Sequence, residues 1–321
     1  MNRSTLLILA SALLQAFPLF SQARAPVDGT IFSTAPVTLK KFADVPLLER
    51  YTTPVEYAAD VTDRSYVYET VTYFSDGLKV KALLYRPRNA ARRLPVIVFN
   101  RGGYLAVETP EMWLSMFHRL AEAGFVILAP MLRESVGGEG LDKAGGDDVH
   151  DVLNAIEVAT KLPYSDSGNI FMYGHSRGGM MTYQAVRDGA PIRAAATVGA
   201  FTDFRALIES RPEEYDPLIA KLFPDYAQRR DEIQLRRSAL LFADQLNVPL
   251  LIMAGTNDNE VIPAKAIDLA VLLLQKKKTV ELHVFSKGFH TLRDRAGERD
   301  RLVTEWFKKT MNSEAPPTTA R

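Results

Sequence analysis

The spacing of apolar positions changes several times along the chain, and each change marks an element. Thr70 to Phe74 and Leu78 to Tyr85 are β-rich runs meeting at Ser75-Asp76-Gly77, which predicts a hairpin. Leu94 to Asn100 is instead continuously apolar, the pattern of a parallel strand covered on both faces. A helix is expected over Glu111 to Ala123, and a second buried strand over Phe125 to Pro130. Asp148 is placed to cap a helix running to Lys161, with Val149, Val152, Leu153, Ile156 and Val158 or Ala159 on its apolar face. Strands then fit Ile170 to Tyr173, Ile192 to Val198, Pro249 to Ala254 and Val280 to Phe285. Helices fit Gly178 to Arg187, Pro263 to Gln275 and Arg293 to Lys309.

This alternation predicts an α/β fold: a mainly parallel, twisted sheet with helices on both faces and an antiparallel start. Residues 201–247 interrupt it with a charged, Pro-punctuated and helical insertion, where a lid would sit. The catalytic domain is expected over 68–310, after an N-terminal extension at 26–67. Residues 311–321, with Pro316-Pro317-Thr318-Thr319, read as a disordered tail.

Composition narrows the picture. The 321 residues are 47% hydrophobic, enough for a large core. Lys+Arg 39 against Asp+Glu 38 gives no global field toward nucleic acid or an anionic membrane. Residues 1–25 have the pattern of a secretory signal peptide: Arg3, an apolar run from Leu6 to Phe20, then Ser21, Ala23 and Ala25. A secreted or periplasmic protein with no membrane span after signal removal is the expectation. There is no cysteine, hence no disulfide or thiol chemistry.

The candidate chemistry centres on Gly174-His175-Ser176-Arg177-Gly178. By average composition roughly one chain in ten of this length would hold G-x-S-x-G by chance, so its context must carry the reading. That context is a strand leading in at Asn169 to Tyr173 and a helix leading out. A serine on so tight a turn projects Oγ above the sheet and toward a helix N-terminus. An acid and a histidine should follow, in that order, in loops after late strands. Asp258, in Gly255-Thr256-Asn257-Asp258, and His290, in Lys287-Gly288-Phe289-His290, meet the requirement. Asp203 and Glu260 are the nearest rivals to Asp258.

The remaining histidines fit less well. His283 lies in a strand and His118 on a helix, and His175 should point away from the nucleophile. His150, among Asp147, Asp148 and Asp151, fits a helix start better than a metal site. For the oxyanion, the backbone N–H groups of Arg177 and Gly103 are the candidate donors, with Tyr104 second to Gly103. The scheme calls for no cofactor and no metal.

Glu69-Thr70-Val71-Thr72-Tyr73, the Arg101-Gly102-Gly103 turn and the stretch from Arg133 to Gly140 resemble the catalytic domain of prolyl oligopeptidase-type serine peptidases. So do the segments from Asp148 to Gly179 and from Ala243 through Asp258 to His290. The resemblance covers residues 68–310 and implies an α/β-hydrolase fold and a Ser-His-Asp mechanism. In that family the turn usually reads His-Gly-Gly-Pro, where this chain has Arg101-Gly102-Gly103-Tyr104, and Tyr often stands where Arg177 does. Only about 45 residues separate the leader from the core, too few for the β-propeller of large members. Three readings stay open: a serine peptidase on small peptides, a carboxylesterase on small acyl esters, and a non-catalytic binding protein on a hydrolase scaffold.

Overall fold

The runs that read as continuously apolar form the centre of one nine-stranded sheet in a computed structural model, which describes residues 26–103 and 109–311. The strands are β1 (Ile31–Pro36), β2 (Tyr66–Ser75), β3 (Leu78–Pro87), β4 (Leu94–Asn100), β5 (Val126–Pro130), β6 (Ser165–His175), β7 (Ala194–Val198), β8 (Leu250–Gly255) and β9 (Val280–Phe285). Their order across the sheet is β1-β2-β3-β5-β4-β6-β7-β8-β9. β1, β2, β3 and β5 pair antiparallel, and every pair from β5 to β9 is parallel. The β2–β3 hairpin turns on Asp76 (φ 51°) and Gly77 (φ 75°), the paired left-handed conformation of a two-residue turn.

Alternate side chains of the central strands enter two different cores. Val96, Val98, Val126, Leu128, Ile170 and Met172 enter one; Ile97, Phe99, Ile127, Phe171 and Tyr173 enter the other. Helices α3 (Val149–Lys161), α4 (Arg177–Arg187) and α8 (Pro263–Gln275) cover the first face. The second is covered by α1 (Pro54–Thr62), α2 (Pro110–Glu122) and α9 (Ala296–Thr310). Each fully buried aliphatic or aromatic side chain contributes about 1.5–3 kcal/mol, which is why these strands need no alternation of polar residues.

The segment 26–67 supplies β1, which adds to the sheet beside β2, and α1, whose N-cap Thr53 accepts from Glu56 N at 3.1 Å. The insertion forms α5 (Phe204–Ser210), α6 (Pro212–Leu222) and α7 (Tyr226–Arg237) around a small core of its own. It is fastened to its neighbours by side chains that bond backbone: Arg237 to Ala144 O (2.8 Å) and Lys143 O (3.0 Å), and Thr202 to Lys265 O (2.7 Å).

Asp148 stands at the N-cap of α3 without capping it. Its carboxylate turns back and accepts the N–H groups of Gly145 and Gly146 (2.8 Å each) and Lys143 (3.2 Å), so it organises the preceding loop instead. The last helix begins at Ala296 rather than Arg293, because Thr291 and Leu292 take positive φ and hold His290–Arg295 in a tighter turn.

Candidate active site

β6 delivers Ser176 onto a sharp turn into α4, with φ 50° and ψ −120°. That conformation is costly for a residue with a side chain and persists only where the surroundings fix it. Ser176 N donates to Val198 O (3.0 Å), and Asn100 Nδ2 donates to Thr182 Oγ1 (2.8 Å) on α4. Close packing does the rest. A Cβ at Gly178 would fall on the Asn100 carbonyl oxygen, and one at Gly179 on the Ala200 side chain.

Asp258 and His290 come together from the loops after β8 and β9. His290 Nδ1 lies 2.8 Å from Asp258 Oδ2, and the carboxylate is 1% exposed. The second oxygen, Oδ1, accepts the N–H groups of Glu260 (2.8 Å) and Val261 (3.0 Å), so the carboxylate cannot rotate away. With Nδ1–H donated to Asp258, Nε2 is the basic nitrogen. Gly199, at φ 56°, lies against the imidazole, where a Cβ would come within 3.1 Å of Nδ1. Arg299 Nη1 donates to Thr291 O (2.9 Å), holding the left-handed pair that follows His290.

Ser176 and His290 open on one cavity of about 290 Å³. Gly102 lies against the serine, and Gly103, Tyr51, Met112, Trp113 and Met116 also line the cavity. Gly103 takes φ 70°, and its carbonyl accepts Nη1 of Arg177 at 2.9 Å. Nη2 of the same guanidinium donates to both Asp142 oxygens (2.9 and 2.8 Å). The Arg177 side chain therefore fixes the turn that faces its own backbone N–H. Tyr104 lies outside the described residues.

The rival acids have other occupations. Asp203 caps α5 through Ala206 N (3.0 Å), and Glu260 lies 3.6 Å from Arg211, the residue before α6. His118, His150 and His283 hydrogen-bond Tyr85, Asp76 and Glu281, away from the cavity. Among the described residues no group of three or more His, Asp or Glu is placed to hold a metal ion.

His175 departs from expectation. It lines the cavity, packed edge-on against Phe99, Tyr173 and Trp113 with ring centroids 4.7–6.0 Å away. Burial, with the charge of Arg299 and the neighbouring His290 adding to it, pushes its pKa well below the ordinary histidine value. Sequence reasoning also missed part of the lining, including Arg50 and Tyr51 from the N-terminal segment, which nothing in the local pattern marks.

The family model described as the prolyl oligopeptidase family matches residues 115–314. The chain is 26% identical over 241 residues to YtmA of Bacillus subtilis, named an uncharacterized peptidase, covering 74% of this chain and 92% of that one. It is 26% identical over 248 residues to the acylamino-acid-releasing enzyme of Sus scrofa, covering 71% of this chain and 33% of that protein. The structure of Pyrococcus horikoshii acylaminoacyl peptidase matches with a TM-score of 0.67 at 21% identity, over 82% of this chain and 45% of that one. The chain thus spans nearly all of the Bacillus protein but less than half of the two acylated-peptide enzymes.

Proposed function

Because the chain belongs to the prolyl oligopeptidase family, and so is a serine hydrolase, we propose that it is a serine peptidase acting on small peptides through Ser176, His290 and Asp258. The observation that carries this reading is the 2.8 Å Asp258–His290 bond opening on the same cavity as a serine held at φ 50°. His290 Nε2 takes the Ser176 proton as Oγ attacks the substrate carbonyl, then returns it to the leaving amine. Asp258 holds the imidazole in the right tautomer and stabilises its cation. The oxyanion is received by the N–H groups of Arg177 and Gly103, the first at the N-terminus of α4, where the helix dipole favours negative charge. Water then cleaves the acyl-enzyme with the same base.

The name of the Sus scrofa relative makes N-acylated peptides the first substrates to try. A fluorophosphonate probe should label the wild-type protein and fail to label Ser176→Ala; equal labelling of both would remove Ser176 from the mechanism. Aminoacyl anilides and short acyl esters should both turn over. Turnover of esters with none of amides would replace the peptidase by a carboxylesterase.

A further inference from the structure

We propose that the cavity beside Ser176 binds a carboxylate of the substrate, with Arg50 and Arg293 as its cationic contacts; this rests on Ser176 being the nucleophile. The whole chain is almost charge-balanced, at +1, so chance would line a cavity with both signs about equally. Instead, among the described residues, four arginines line it (Arg50, Arg119, Arg293 and Arg299) against one acid, Glu260.

The inner charges are already matched. Arg119 and Arg299 share the buried Asp300 carboxylate, at 2.9 and 2.8 Å. Arg119 also pairs with Glu56, and Glu260 with Arg211. Arg50 and Arg293 are different: both are exposed, and among the described residues neither guanidinium has a hydrogen bond or an ion pair. They leave an excess of positive charge at the mouth.

Every guanidinium N–H can only donate. A group rich in acceptors and carrying negative charge satisfies Arg50 and Arg293, and an ammonium group is repelled by both. A carboxylate fits by chemistry and can be planar and bidentate to arginine. It can come from either side of the scissile bond: an acidic acyl group, or the free C-terminus of a short peptide.

Competition with a fluorophosphonate at Ser176 reads binding without requiring turnover. One arm compares N-acetyl tripeptides with free and amidated C-termini; the other compares N-succinyl and N-acetyl tripeptide amides. In at least one arm the carboxylate member should protect at about fivefold lower concentration or better, the scale of one or two partly exposed ion pairs. The advantage should shrink with added salt. Arg50→Gln with Arg293→Gln should bring the ratio within that arm close to one, in protein with an unchanged melting profile. Equal protection in both arms, no protection by any peptide, or a preference that survives the double substitution would each overturn the proposal. Absence of labelling in the uncompeted wild-type protein would instead overturn the assignment of Ser176.

Discussion

Arg177 is asked to do two separable things, and substitution can part them. Its side chain is 6% exposed and donates to Asp142, itself 1% exposed, while Nη1 holds the Gly103 carbonyl at 2.9 Å. Arg177→Met keeps the backbone N–H and a similar length but removes the guanidinium's bonds to Gly103 and Asp142. Asp142 would keep the N–H of Ala144 (2.9 Å) and lose the Arg177 guanidinium. Stripping one partner from a buried pair costs about 3–5 kcal/mol. If Gly103 then drifts from the developing oxyanion, one donor is lost, which lowers the chemical step by about 10²–10³-fold.

Adding Asp142→Leu removes the carboxylate as well, and an apolar replacement of both partners is often neutral for stability. Two measurements separate the effects: urea unfolding for stability, and the second-order rate of fluorophosphonate acylation for the site. Arg177→Met should be destabilised and slow. The double variant should regain most of the stability and remain slow, a non-additive result in one measurement alone. An acylation rate that recovers together with stability would show that the guanidinium does not position the Gly103 turn.

Three further outcomes follow from the same geometry. Asp258→Asn should leave the fold intact but lower acylation by about 10⁴-fold, because the amide favours the wrong histidine tautomer; a loss under tenfold would contradict that role. His175 is held neutral in the fold while an unfolded histidine takes up a proton below about pH 6.5. The unfolded state then binds more protons, so stability should be full above that pH and fall below it, by up to about 1.4 kcal/mol per pH unit. His175→Phe should flatten this dependence in thermal melts from pH 5 to 8, and an unchanged slope would remove His175 as its source. Phe171 is fully buried and stacked on Phe307 at 4.6 Å, so Phe171→Ala should cost about 3–5 kcal/mol in urea while the folded fraction still labels at Ser176.

What the sequence disclosed follows the physics of each part. The central strands and α8 were legible because double-sided burial leaves an uninterrupted apolar run, and Pro263 marks the helix start. β1 was not. It is an edge strand with five of six residues exposed, held by backbone bonds to β2 that leave no side-chain pattern. α1 did leave a signal, Thr53 followed by Glu56, the spacing of a capped N-terminus. Asp258 and His290 were legible because their place after late strands is fixed by topology. The Arg177 clamp was not, since its partners Gly103 and Asp142 lie 74 and 35 residues away.

The cavity wall explains why selectivity would be separable from chemistry in this chain. Arg50 and Tyr51 follow the fully buried Leu48, and Tyr51 packs edge-on against Trp113 at 5.8 Å. Thr52 bonds Ser115 of α2 at 2.8 Å, Lys40 N bonds Glu111 at 2.8 Å, and Tyr57 bonds Lys40 O at 2.7 Å. The N-terminal segment and α2 are therefore one unit that lines the same cavity as the serine and histidine. The insertion has the opposite placement. Among the described residues none of 201–247 lines the cavity, and Arg211, at the N-cap of α6, instead grips the Glu260 carbonyl, two residues past Asp258. Changes in the N-terminal segment should therefore alter which substrates bind, whereas changes in the insertion should act on the acid that orients His290.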